Sequence, residues 1–139
     1  MKPVYPAWFT KEAKGGYVVQ FVDIPEAMTD GETMEEAEMN AREALSGVLG
    51  YKLDSNQEIP SPSTVEDINI RYIVPDAQVQ AAILIRKQRG DQPLSVLARA
   101  LDTSWPAAQR LEDPHHWPTL KQLDRAAAVM GKRLVLCLE

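Results

Sequence analysis

Residues 15–41 read GGYVVQFVDIPEAMTDGETMEEAEMNA, and this stretch decides the fold of the amino-terminal half. It begins with a glycine pair, which supplies the positive φ of a tight reversal, and continues with a run of β-forming residues from Tyr17 to Val22. The run from Val4 to Thr10, before the glycines, has a similar composition. We therefore predict a β-hairpin, with Pro6 at an edge or a strand start because proline cannot donate to a ladder.

The second part of the same stretch predicts a short strand at 27–29 and then a helix. Thr33 can cap the free amides of the first turn, and Glu36, three residues later, can complete a capping box. Small and apolar residues then follow the helical period, at Ala37, Ala41, Ala44, Leu45, Val48 and Leu49. Such a narrow stripe suits a helix that lies close on a sheet.

A last strand is predicted at Val65–Val74, with Ile68, Ile70, Tyr72 and Val74 alternating along one face. Pro75 marks a boundary, because proline disfavours helix in the residue before it and can begin one itself. Residues 1–74 are therefore expected to form a β-β-β-α-β domain, and the fold class is α+β.

After Pro75 the period is helical. Four helices are predicted, at 77–89, 93–101, 105–112 and 119–130, followed by an apolar strand at 132–138. Residues 75–139 are thus expected to form an all-α domain that ends in a strand. Cys137 cannot form an internal disulfide, and its apolar neighbours predict an inert, buried thiol.

Charge divides the chain in the same place. Residues 1–74 carry six basic and 13 acidic side chains, a net charge of −7, whereas residues 75–139 carry nine and seven, a net charge of +2. The acidic half is expected to bind a basic partner, and the other half could approach phosphate. With no apolar run near the roughly 20 residues of a membrane span and no signal-peptide pattern, the predicted location is the cytoplasm.

A three-residue turn, 102–104, separates the second and third helices of the carboxy-terminal half, and Ser104 can cap the third. This pattern resembles the repressor-like (Cro-type) helix-turn-helix family at Leu97-Ala98-Arg99-Ala100-Leu101, Ser104, Arg110-Leu111-Glu112 and Pro118-Thr119-Leu120. The resemblance implies that the third helix enters the major groove of DNA. The expected DNA contacts are Ser104, Trp105, Gln109 and Arg110, with Arg86, Lys87, Arg89 and Arg99 on phosphates. A helical domain that serves only for dimerisation stays the alternative.

The amino-terminal half resembles the HicB antitoxins of type II toxin–antitoxin (HicAB) pairs. The matching residues are Gly15-Gly16-Tyr17, Phe21, Asp23-Ile24-Pro25-Glu26-Ala27, Thr29, Gly31-Glu32-Thr33, Glu35-Glu36-Ala37 and Ala41. The resemblance implies a truncated ribonuclease-H-like fold, a small basic mRNA-cleaving toxin of the HicA type as partner, and repression of the chain's own operon. Charge complementarity predicts that Asp23, Glu26, Glu32 and Glu35 contact the toxin.

An unpaired apolar strand at a terminus needs a partner, and its two-fold copy is the obvious one. We therefore predict a homodimer through Leu134, Val135, Leu136 and Leu138. The sequence leaves open whether dimers associate into tetramers through their amino-terminal domains. The alternative function is a stand-alone transcriptional regulator whose acidic domain senses a ligand or oligomerises.

No catalytic residue, cofactor or metal site is predicted. A ribonuclease-H active site needs several carboxylates that converge on two metal ions, and the hairpin offers only Asp23 near a strand end. His115 and His116 lie in a proline-bounded loop without a nearby cysteine or third ligand. The expected protein is a binding protein and not an enzyme.

Overall fold

The computed structural model describes all residues, Met1–Glu139, as four strands and five helices. They are β1 (Tyr5–Lys11), β2 (Tyr17–Phe21), β3 (Met28–Gly31), α1 (Met34–Asp54), β4 (Ile70–Ile73), α2 (Ala77–Arg89), α3 (Leu94–Ala100), α4 (Trp105–Arg110) and α5 (Leu120–Val129). The strands form one antiparallel sheet in the order β3-β2-β1-β4. The α+β class and the β-β-β-α-β order are confirmed, while the ribonuclease-H-like assignment stays a prediction. None of the helices is both long and apolar enough to cross a bilayer.

Helix α1 packs on one face of the sheet and leaves the other face open. The main core lies between them and contains Tyr5, Ala7, Phe9, Val19, Phe21, Ala37, Ala41, Leu45 and Leu49, all nearly or fully buried. The close approach depends on Gly31 at the end of β3, because a Cβ there would lie 2.4 Å from the amide nitrogen of Ala37. The predicted stripe of small residues is thus the contact surface of α1.

The helix caps predicted at Thr33 and Ser104 are both present. The hydroxyl of Thr33 accepts a hydrogen bond from the Glu36 amide, 3.1 Å away, although the return bond of a full capping box is absent. Ser104 caps α4 in the same way, through the Ala107 amide. A full capping box forms instead at Thr119 and Gln122. These local signals fix where α1, α4 and α5 begin.

Strand β4 is shorter than predicted, and its pairing with β1 shows which of its faces is buried. Only Ile70–Ile73 pair with β1, and Ile68 is fully exposed. Ile73 pairs with the buried Tyr5 and faces α1, whereas Ile70 and Tyr72 lie opposite Trp8 and Pro6 on the open face of the sheet. Ile70 and Tyr72 thus share one face as predicted, and the register with β1 makes it the face away from α1.

Helix α2 belongs to two cores. Val79, Ala82 and Ile83 pack into the main core with α1, while Ile85, on the same helix, joins Leu97, Leu101, Leu111 and Ala126 in a second, smaller core. The four predicted helices of this half are confirmed. The domain boundary at residues 74 and 75 stays a prediction, but the helix that follows it is held by the amino-terminal half.

The carboxy-terminal segment 132–139 forms no strand in the single chain, contrary to the prediction. A strand needs a neighbour to satisfy its backbone groups, and no part of the sheet lies beside this segment. Leu134 is half-buried, whereas Val135, Leu136 and Leu138 are exposed. Cys137 is exposed as well, so the predicted buried thiol was wrong for the single chain.

Candidate functional site

Helices α3 and α4 form a compact pair on the second core. Leu97 of α3, Leu101 directly after it and Ala108 of α4 are buried, and the turn between the helices passes through Asp102, whose φ is +52°. Asparagine and aspartate tolerate this left-handed conformation better than most residues. The turn therefore reverses the chain within a few residues and presents one side of α4 to solvent.

The exposed side of α4 carries the predicted reading residues. Ser104, Trp105, Gln109 and Arg110 are all exposed, and Trp105 keeps 48% of its surface accessible. Arg99, in the last turn of α3, is exposed as well. The structure thus leaves the side chains of Trp105, Gln109, Arg110 and Arg99 free to meet a ligand, whereas the Ser104 hydroxyl caps α4.

The other predicted phosphate contacts have intramolecular partners. Arg89 forms a two-bond ion pair with Glu112, at 2.5 and 2.8 Å, and this hydrogen-bonded carboxylate raises the pKa of the guanidinium above its usual value. Arg86 donates to the carbonyl of Gln57 at 2.7 Å and to the side chain of Asn56 at 3.1 Å. Arg86 and Arg89 therefore fasten α2 to its neighbours, a role that the sequence did not indicate.

The four predicted toxin contacts divide into two pairs. The carboxylate of Asp23 accepts hydrogen bonds from both the amide and the hydroxyl of Ser63, which holds the 55–69 loop against the sheet. Glu26 lies 3.3 Å from Lys52, and its pKa is lowered first by its own backbone amide and then by that ammonium group. Glu32 and Glu35, at the start of α1, are exposed, with no hydrogen bond or ion pair from either side chain.

The same loop is fixed at a second point by Tyr5. Its hydroxyl, at the base of the core, donates to the carbonyl of Pro60 at 2.7 Å. Burial, together with the nearby Asp23 carboxylate, raises the pKa of Tyr5 to about 12. The tyrosine is therefore a neutral donor at physiological pH, and it anchors the connection between α1 and β4.

The two halves of the chain meet at a cleft of about 520 Å³. One wall comes from the end of α1 and from α2, and the other from α4 and the loop that follows it. Its lining is mostly polar: Asp54, Asn56, Arg86, Arg89, Gln109, Arg110, Glu112, Asp113 and His115, with Leu53, Leu94 and Pro114. The cleft joins the α4 surface to the end of α1.

Comparison with known proteins decides the family. Residues 4–80 match the family model described as HicB_like antitoxin of bacterial toxin-antitoxin system. The antitoxin HicB of Escherichia coli strain K12 is 33% identical over 133 residues, covering 95% of this chain and 96% of that protein. The chain belongs to the HicB-like antitoxin family.

Two further HicB antitoxins, both from Photorhabdus laumondii, extend the comparison. Antitoxin HicB 1 is 30% identical over 97% of this chain and 86% of its own length, and antitoxin HicB 2 is 32% identical over 95% and 94%. The resemblance to HicB antitoxins found from the sequence motifs is confirmed. The HicB-like match ends at residue 80, within the first turns of α2, which agrees with the packing of Val79 in the main core.

Proposed function

We propose that this chain neutralises a HicA-type toxin through its acidic amino-terminal half and represses its own operon through the helix-turn-helix formed by α3 and α4. The observation that carries the proposal is the family membership, with full-length similarity to HicB antitoxins. Support comes from the charge asymmetry, a net −7 against a net +2. Protein and DNA are the proposed ligands, and no cofactor or catalytic step is part of the proposal.

The toxin-binding step is placed at the beginning of α1. An RNA-cleaving toxin must present a basic surface to its substrate, and a carboxylate cluster can occupy such a surface by charge complementarity. Glu32 and Glu35 are exposed and carry no internal partner, so their charge is available to a second protein. Asp23 and Glu26 stay in the proposal as weaker contributors, because each already binds within the chain.

The double variant Glu32→Lys/Glu35→Lys is expected to weaken toxin binding about tenfold or more, with a smaller loss in high salt because exposed charges are screened. Glu58→Lys/Glu66→Lys is the matched control, since both residues are exposed in the 55–69 loop and the charge change is the same. Titration calorimetry at two salt concentrations measures both. Equal losses in the two variants, or no loss in the first, would contradict the placement.

The DNA-binding step is placed on the exposed side of α4. Arg110 can bind guanine with two hydrogen bonds, and Gln109 can do the same with adenine. Arg99 is proposed as the main phosphate contact, since the guanidinium groups of Arg86 and Arg89 are held by other parts of the chain. Lys87, whose side chain makes only a long hydrogen bond of 3.4 Å to the Ser61 hydroxyl, is proposed in support. These two arginines would then position α2 beneath the reading helix.

Arg110→Ala is expected to lower operator affinity by about 1–3 kcal/mol, or roughly five- to 150-fold, with little change on unrelated DNA. Arg99→Ala is the comparison variant, because loss of a phosphate contact weakens binding to all sequences and makes the salt dependence shallower. Fluorescence anisotropy with the DNA upstream of the chain's own gene and with a scrambled duplex distinguishes the two. If Arg110→Ala weakened both duplexes alike, Arg110 would not read a base.

The homodimer is proposed to form through residues 132–139. This segment exposes Val135, Leu136 and Leu138, and pairing with its two-fold copy would supply the missing strand neighbour. Such a dimer would set two α4 helices about 34–36 Å apart, on adjacent turns of DNA. Deletion of 132–139 is expected to give a folded monomer by sedimentation equilibrium, and a deletion variant that remained dimeric would rule out this contact.

A further inference from the structure

Three metal-ligand side chains meet where the two halves of the chain join. Asp54 is the last residue of α1, and Asp113 and His115 lie in the loop after α4. One carboxylate oxygen of each aspartate and one imidazole nitrogen all lie within 4.8 Å of one another. The sequence did not indicate this group, because Asp54 lies about sixty residues before the two others.

The loop that carries two of these ligands is held in place. Asp113 accepts a hydrogen bond from the His115 amide at 2.8 Å, which fixes one carboxylate oxygen and leaves the other available. Pro114, between them, is buried against α1 at Gly50, where a Cβ would lie 3.8 Å from the proline. The His115 Nε2 atom already lies 2.7 Å from the Asp54 carboxylate. Ligands from α1 and from the loop are thus brought together before any ion binds.

The donor set favours one class of cation. A tetrahedral zinc site takes imidazole nitrogen and carboxylate oxygen at about 2.0–2.2 Å, which places ligand atoms ~3.3 Å apart. Small side-chain rotations would bring the present spacings, from 2.7 Å between His115 and Asp54 to at most 4.8 Å within the group, to this value. The three residues also line the cleft of about 520 Å³, which has room for water as the fourth ligand. Magnesium is a poorer match, because it prefers six oxygen ligands in an octahedron.

We propose that Asp54, Asp113 and His115 bind one zinc-like divalent cation, which clamps the end of α1 to the loop after α4. The ion replaces the hydrogen between His115 Nε2 and the Asp54 carboxylate, and that proton is released to solvent, so that a hydrogen bond becomes a coordination site. Because α4 leads directly into this loop, the bound cation fixes the orientation of α4 relative to the amino-terminal half. The proposal does not depend on the identity of the toxin or of the operator.

The test uses the full-length, untagged chain with Cys137→Ser, since the exposed thiol could itself bind zinc. Calorimetric titration with ZnCl₂ is expected to show one ion per chain, and a hundredfold excess of zinc over its Kd should raise Tm by about 9 °C. His115→Ala and Asp54→Asn should each weaken zinc binding at least tenfold (~1.4 kcal/mol). Both residues are exposed, so these variants should remain folded.

His116→Ala is the matched control, because it removes an adjacent imidazole that is not part of the group. This variant should bind zinc as the parent does, and MgCl₂ should leave Tm unchanged in every variant. The proposal is overturned by any of three results: no stoichiometric zinc binding, equal binding in His115→Ala and the parent, or an equal loss in His116→Ala.

Discussion

Replacing Gly31 with alanine is expected to destabilise the chain by about 3 kcal/mol, the largest effect of any single methyl group added to the fold. The new Cβ would lie 2.4 Å from the Ala37 amide nitrogen and 2.6 Å from its Cα. Both atoms belong to the backbone of α1, which cannot rotate away as a side chain could. The helix would have to move off β3, and the main core would lose its packing.

Gly47→Ala provides the control with the opposite sign. Gly47 lies within α1 and is exposed, and a Cβ added there would have no neighbouring atom within 4 Å. Alanine at this position should stabilise the chain by about 0.5–1 kcal/mol, because glycine is a poor helix former. Urea unfolding of both variants measures the difference. A Gly31→Ala variant as stable as the parent would show that α1 and β3 are farther apart than the structure has them.

Ile83→Ala is expected to destabilise the chain by about 2–5 kcal/mol, since it removes a fully buried side chain from the main core. Ile83 lies in α2, beyond the predicted domain boundary, so the variant also tests whether α2 is anchored to the amino-terminal half. Met39→Ala removes a side chain of similar size from a site that is 65% exposed. It should change stability by no more than about 0.5 kcal/mol.

The same urea unfolding experiment measures both variants. A loss close to that of Met39→Ala would mean that α2 does not pack on α1, and the two halves would then be free to move relative to each other. A large loss in Ile83→Ala supports a rigid connection. That connection would let a toxin on the first half influence the orientation of α4.

Predictions from the sequence were most accurate for features that depend on residues close together along the chain. The hairpin glycines, the caps at Thr33 and Ser104 and the helical periods of α1–α5 are signals that act over a few residues. The sequence left open which face of β4 is buried, because Ile70 and Tyr72 are ordinary β-formers, and only pairing with β1 shows that they face outward. A four-residue edge strand holds too few residues for its alternation to be decisive.

Predictions about the candidate sites failed in the same way, wherever a residue's environment depends on distant parts of the chain. The resemblance to the repressor-like helix-turn-helix family implied that Trp105, Gln109 and Arg110 face outward, and they are exposed. In contrast, the partners of Arg86 and Arg89 lie 29 and 23 residues away, and the Asp54–His115 contact spans 61. Such pairs arise from the tertiary fold, and nothing in the local sequence distinguishes a paired arginine from a free one. The 132–139 segment is a further case, because it forms no strand within the single chain and the neighbour that we propose for it is a second copy.

Growth rescue tests the central claim most directly. A toxin–antitoxin pair implies that a small basic reading frame for the toxin lies beside the gene for this chain. That frame would be expressed alone, with the full chain, and with the Arg110→Ala variant. The account predicts that the frame arrests growth, that both forms of the chain restore it, and that only the parent represses a reporter under the operon's promoter. A frame that arrests growth whether or not the chain is present would contradict the antitoxin function, and so would a frame that is harmless alone.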